Sequence, residues 1–186
     1  MPDKREAILA AALSLFNEHS FKGTAMPLVA ARAGVGAGTI YRYFASKEAL
    51  GNAVFRECKL AMQRHLLAQH RADATPREDF RAMWRGLWSF FQKQPAACRF
   101  LETHHHANYL DDASRALADA IFASIVDAVR RGQAAGAYRP GDPAVLISMA
   151  FGAFIGLIKE ADARRFVLTD AVVEAAEPSV WAMLSA

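Results

Sequence analysis

Gly34-Val35-Gly36-Ala37-Gly38-Thr39-Ile40-Tyr41-Arg42-Tyr43-Phe44-Ala45-Ser46-Lys47-Glu48-Ala49-Leu50 reads as a tight turn, a short helix bearing hydroxyl and aromatic groups, and the basic start of a further helix. Immediately upstream, Met26 to Ala33 supplies a short helix of its own, so the stretch has the form of two helices joined by a turn. Ile40 and Phe44 lie four residues apart and share a face, which packs inward. Ala37, Gly38, Thr39, Tyr41, Arg42 and Tyr43 are then turned outward to differing degrees.

The flanking segments carry helical period almost throughout, and no run of alternating β-branched residues occurs. Ile8, Ala12 and Leu15 form one stripe beside Leu9 and Phe16, predicting a first helix from Asp3 to His19 that Lys22-Gly23 ends. Thr24 is the expected cap of the second helix, with Pro27 in its first turn, and Gly36 is a second-rank cap for the third. Ser46 caps a fourth helix that runs to about Gln69 on Leu50, Val54, Phe55 and Met62.

Beyond Ala72-Asp73-Ala74-Thr75-Pro76, helices are predicted over 77–94, through His104, and from Asp111-Asp112 to about Ala135, with Gly136 as the last one's stop. Asp142-Pro143 launches an apolar helix over 144–161. A final helix starts near Thr169, and Pro178 is expected to kink or restart it. The fold class is all-α, with about nine helices: a three-helix helix-turn-helix head over 1–50 and a helical body over 51–186.

The chain has 186 residues, over half of them apolar, and can bury a core without staples. Cys58 and Cys98 are its two cysteines; lacking CxxC spacing, they form neither a disulfide framework nor a zinc site and read as free thiols of a reducing compartment. The N-terminus has no long apolar core or cleavage site, so the cytoplasm is the expected location. Ala144 to Ile158 is shorter than the roughly 20 residues of a spanning helix and reads as a buried helix, with no membrane partner. Residues 1–71 hold ten Lys or Arg against five Asp or Glu, whereas the remainder is mildly acidic. A basic head on an acidic body is the asymmetry of a nucleic-acid-binding module joined to a non-binding one.

The outward face of the third helix suits the major groove of double-stranded DNA. Arg42 can make a bidentate contact to guanine, while Thr39, Tyr41 and Tyr43 can hold phosphates or touch thymine methyls. Lys47 adds an ammonium to a helix N-terminus, where both attract a phosphate. The alternative is that the tyrosines pack and Arg42 is a solvated charge. Gly34-x-Gly36-x-Gly38 follows no strand and is not a dinucleotide loop.

Ala33-Gly34-Val35, Gly38-Thr39-Ile40-Tyr41-Arg42-Tyr43-Phe44 and Ser46-Lys47-Glu48-Ala49-Leu50 resemble the head motif of the TetR/AcrR family of bacterial transcriptional regulators. Ala25 and Gly36 depart from the Ser or Thr caps usual in that family. The resemblance implies a homodimer on a palindromic operator, and DNA contacts by Thr39, Tyr41, Arg42, Tyr43 and Lys47. It also implies a small-molecule effector cavity in the body, for which Trp84, Trp88, Phe91, Phe100, His104, Tyr109 and Phe122 are the candidates; a filled aromatic core is the alternative. Repression released by the effector is the expected function. An activator, a ligand-independent DNA-binding protein, or a small-molecule carrier with a vestigial helix-turn-helix are the competing readings.

The penultimate helix is apolar nearly all round and has to be covered on most faces. The resemblance places Ile147, Phe151, Phe154 and Ile158, with Val172, Val173 and Trp181 of the last helix, in a four-helix dimer interface. His104-His105-His106 cannot chelate one ion, because consecutive helical residues point about 100° apart. No catalytic constellation, cofactor or metal is expected.

Overall fold

The computed structural model describes residues 3–71, 73–104 and 108–186. Among these, nine helices follow in order: α1 (Lys4–Gly23), α2 (Met26–Arg32), α3 (Ala37–Tyr43), α4 (Lys47–Leu67), α5 (Pro76–Lys93), α6 (Pro95–His104), α7 (Asp112–Ala134), α8 (Pro143–Asp162) and α9 (Asp170–Leu184). A single antiparallel bridge joins Tyr138 to Ser185. His105 and His106 lie outside the described residues.

The helix ends follow local chemistry, with two departures from expectation. The Asp3 carboxylate accepts from the Arg5 amide, Asp142 from Ala144, and Thr169 from Val172, each at the start of its helix. Ser46 accepts from the Ala49 amide and opens α4. Thr24, however, does not cap α2: its hydroxyl donates back to the carbonyls of Ser20 (2.8 Å) and Leu15 (3.2 Å), and Ala25 begins α2 without a side-chain cap. Thr24 is drawn away because α1 breaks at Ser20 (φ 63°), which frees carbonyls for a buried donor. The last helix continues through Pro178, so of the kink or restart expected there it does not restart. The second departure is α8, which extends over 20 residues and is long and apolar enough, by length and composition, to cross a membrane.

The described chain divides into two compact units. The first comprises residues up to 63 together with 90–118, so it holds α1–α3, most of α4, the end of α5, α6 and the start of α7. Its core is Ile8, Leu15 and Phe16 of α1, Val29 of α2, Ile40 of α3, Leu50, Val54 and Phe55 of α4, and Phe100 of α6. The second unit comprises 64–89 and 119–186. There Trp84 lies edge-on to Phe154 at 5.5 Å, and Phe80 packs beside Trp181. Gly86 permits close approach of α4 and α5: a Cβ there would lie 2.6 Å from the His65 carbonyl oxygen.

Within its own chain α8 is only partly covered. Leu146, Phe154, Ile155 and Ile158 face the core of the second unit, but Val145, Met149 and Phe151 are exposed, and beyond the helix's own backbone nothing lies within 4 Å of a Cβ built on Gly152 or Gly156. An 18-residue apolar window leaves more apolar surface than one neighbouring helix and one core can hide.

Candidate nucleic-acid interface

The turn between α2 and α3 is fixed by backbone alone. Gly34 adopts φ +67°, its amide bonds the Ala31 carbonyl, and the Val35 amide bonds the Ala30 carbonyl, which closes α2 and redirects the chain. Gly36 then starts α3 with no side-chain cap, as its rank predicts. Ile40 is wholly buried and Phe44 nearly so, so α3 is keyed to the core by the two residues expected to do it.

Its outer face carries the exposed polar and aromatic side chains. Tyr41 is 51% exposed, Tyr43 43%, and Arg42 is exposed. Thr39 is half-buried near the start of the helix. Among the described residues, Arg42 makes no ion pair and no hydrogen bond, so its five donors face solvent uncommitted. Arg32, by contrast, is spent: it holds Glu18 through two 3.0 Å hydrogen bonds and pins α2 to α1. The Arg32 guanidinium and the Ser14 hydroxyl pull the Glu18 carboxyl down to about 2. Lys47 is half-buried at the first turn of α4, with Nζ 4.8 Å from the Phe21 ring centroid and 3.4 Å from the Lys22 carbonyl oxygen.

The aromatic residues proposed for an effector fall into both units. In the first, Phe100 is buried and stacks on Phe16 and His104, and the Tyr109 hydroxyl lies 2.7 Å from His104 Nδ1. Burial lowers the His104 pKa, and burial also pushes Tyr109 well above the ordinary phenol range; which of the two atoms donates is set by the imidazole tautomer. Phe91 is half-buried, with the Arg99 guanidinium 5.7 Å from its ring centroid.

In the second unit, Trp84 is buried and its Nε1 donates to the Val173 carbonyl at 2.9 Å. Trp88 is half-buried and donates to Asp170 at 2.7 Å, and Phe122 is exposed. A concavity of about 210 Å³ in the same unit is lined by Arg71, Glu78, Arg81 and Arg85 together with Ala74 and Ala82, and by none of the seven aromatic candidates. Of the expected dimer residues, Phe154, Ile158 and Val173 are buried within the chain. Ile147, Val172 and Trp181 are half-buried, and Phe151 is 42% exposed. Cys58 and Cys98 are free and buried, with burial pushing their thiols up to about 12 and about 11.

Several residues that organise these elements carry no signal in the sequence pattern. Phe21, Gly51 and Asn52 converge on Tyr109, and Arg77 pairs with buried Glu177. Thr75 and Glu78 do carry one: Thr-x-x-Glu is the capping-box signature, and both reciprocal hydrogen bonds are present, 2.8 Å to the Thr75 amide and 3.3 Å from the Glu78 amide.

A backbone-fixed turn followed by an inwardly keyed, outwardly polar helix and a basic helix start defines a helix-turn-helix DNA-binding module. The chain belongs to the tetR family of bacterial regulatory proteins: residues 8–54 match that family's model, and residues 55–186 match the tetracyclin repressor-like C-terminal domain. The chain is 45% identical over 53 residues to the HTH-type transcriptional regulator YhgD of Bacillus subtilis, a match spanning 28% of each protein. A TetR family protein from Vibrio parahaemolyticus is similar along the whole chain, at 30% identity, with 99% of this chain and 100% of that one covered and a TM-score of 0.78. A TetR family transcription regulator from Marinobacter aquaeolei has 25% identity, covering 98% and 95%, with a TM-score of 0.88.

Proposed function

We propose that this chain is a homodimeric, ligand-responsive transcriptional regulator that represses from a palindromic operator and is released by a small-molecule effector. The observation that carries the reading is the uncommitted Tyr41-Arg42-Tyr43 face of α3, held outward by buried Ile40 and Phe44. Arg42 reads bases; Thr39, Tyr41, Tyr43 and Lys47 hold the backbone.

Two further features support the partners named. Val145 and Met149 are exposed on one side of α8, Phe151 is exposed on another, and Met183 is exposed on α9; these apolar surfaces suit a second copy of the same helix pair, with half-buried Ile147, Val172 and Trp181 and with Phe154, Ile158 and Val173 buried within the chain. The His104–Tyr109 pair, with Phe100 stacked on the imidazole, offers an effector two polar groups in apolar surroundings. Effector and operator must favour different states of the dimer, so each weakens the other's binding by one common factor.

A mobility-shift assay on the DNA upstream of the chain's own gene tests the reading. A specific shift that weakens steeply with salt is expected. No specific shift at low salt would overturn it and favour a helical small-molecule carrier.

A further inference from the structure

We propose that Phe21 is a positioning residue for Lys47, held in that role by Tyr109 from the turn that follows α6; the inference rests on the reading of Lys47 as a phosphate contact. It starts at Ser20, where a φ of 63° breaks α1 and the Thr24 hydroxyl locks the break by donating to the Ser20 and Leu15 carbonyls. The chain so redirected brings the Phe21 ring onto Tyr109, with centroids 3.8 Å apart and planes 14° from parallel, and tilts it against Phe16 at 5.3 Å. Lys47 Nζ lies 4.8 Å from the same ring's centroid and donates to the Lys22 carbonyl beside it.

The stack is built against α4. Gly51 lies one turn after Lys47, and a Cβ there would come 2.8 Å from Phe21 Cε2 and 2.9 Å from Tyr109 Cε2, so both rings need the bare Cα. Tyr109 is fixed at both ends. Its hydroxyl meets His104 Nδ1 at 2.7 Å, and its carbonyl accepts from Asn52 Nδ2 at 2.8 Å. Buried Asn52 also donates to the Glu48 carbonyl and accepts from the Asp111 amide.

What separates positioning from plain packing is the chemistry offered to Lys47. A ring face and a carbonyl orient an ammonium through its donors and charge but leave that charge uncancelled, whereas a carboxylate would neutralise it. Among the described residues Lys47 makes no ion pair. A cation on a four-carbon stem, held before DNA arrives, loses less freedom when it meets a phosphate. Displacement of Tyr109 or His104 would therefore reach a DNA-contacting charge through two stacked rings.

Affinity for a random-sequence DNA duplex, read across a salt series, tests this without any knowledge of the operator. Phe21→Leu and Tyr109→Leu should each weaken binding about three- to fivefold. Each should also lower the salt slope as Lys47→Met does, by about one ion. In the Lys47→Met background neither should weaken it further, and Phe21→Tyr, which keeps the ring, should restore wild-type affinity. Equal losses in both backgrounds would overturn the proposal. In DNA-free wild-type protein, the Lys47 ε-methylene protons should be shifted upfield by the Phe21 ring current and return toward the ordinary lysine value in Phe21→Leu; an unshifted wild-type signal would also overturn it. Failure of the regulator reading would show separately, as wild-type binding with no preference for the upstream DNA.

Discussion

Arg77, in the first turn of α5, grips both carboxylate oxygens of Glu177 in α9, while the Trp181 ring lies 5.1 Å from its guanidinium. Further along, Trp84 donates to the Val173 carbonyl, Arg85 pairs with Glu174 at 3.0 Å, and Trp88 donates to Asp170. Positions rise on α5 as they fall on α9, so the two helices are laced antiparallel.

Glu177 is buried while Arg77 is 37% exposed, and loss of the guanidinium strands the carboxylate. Arg77→Ala should destabilise the protein by about 2 kcal/mol, below the 3–5 kcal/mol of a fully buried pair because solvent screens Arg77. Urea denaturation reads this directly. A change within about 0.5 kcal/mol would mean that the lacing contributes orientation rather than stability.

Substitutions at the DNA face should separate by kind. Arg42→Ala should flatten the preference among operator variants and cost about 1–3 kcal/mol on the best site. Lys47→Ala should weaken every sequence alike and reduce the salt slope by about one. Competition shifts with matched and mismatched duplexes distinguish the two; sequence-blind losses from both would remove base reading from Arg42.

His104 gives a pH dependence of definite sign. Its folded pKa is lowered by burial, so between the ordinary 6.5 and that lower value the unfolded chain binds more protons than the folded one. Its contribution is complete above 6.5 and is lost as pH falls through the folded pKa. The denaturation midpoint of the wild type should therefore fall below pH 6.5 more steeply than that of His104→Phe. Parallel pH profiles for the two proteins would refute the assignment.

The exposed apolar residues of α8 should carry self-association. Phe151→Glu puts a charge on an apolar surface and should shift a dimer to monomer in sedimentation velocity, with the helical circular dichroism retained. A dimer that persists in this variant would place the contact elsewhere on the chain.

Much of the fold could be read directly from residue order. The period of Ile8, Ala12 and Leu15, the Asp142-Pro143 start of α8, and the Ile40 and Phe44 key of α3 all stand where local rules put them. Where those rules missed, a backbone break had created a competitor: Thr24 left α2 for carbonyls freed at Ser20. The candidate site divides the same way. Tyr41, Arg42 and Tyr43 are legible because a short helix keyed inward by Ile40, with Phe44 buried just past its end, has to turn the others out.

Sequence alone determined the helices, their order, and a head keyed to present Tyr41, Arg42 and Tyr43, because turns, caps and helical period act over a few residues. Only the tertiary structure decided that Phe21 meets Tyr109, that Arg77 meets Glu177, and which apolar residues of α8 stay exposed. Those pairings join residues 88 and 100 positions apart, and no short-range preference selects a partner at such distances; packing of whole helices does.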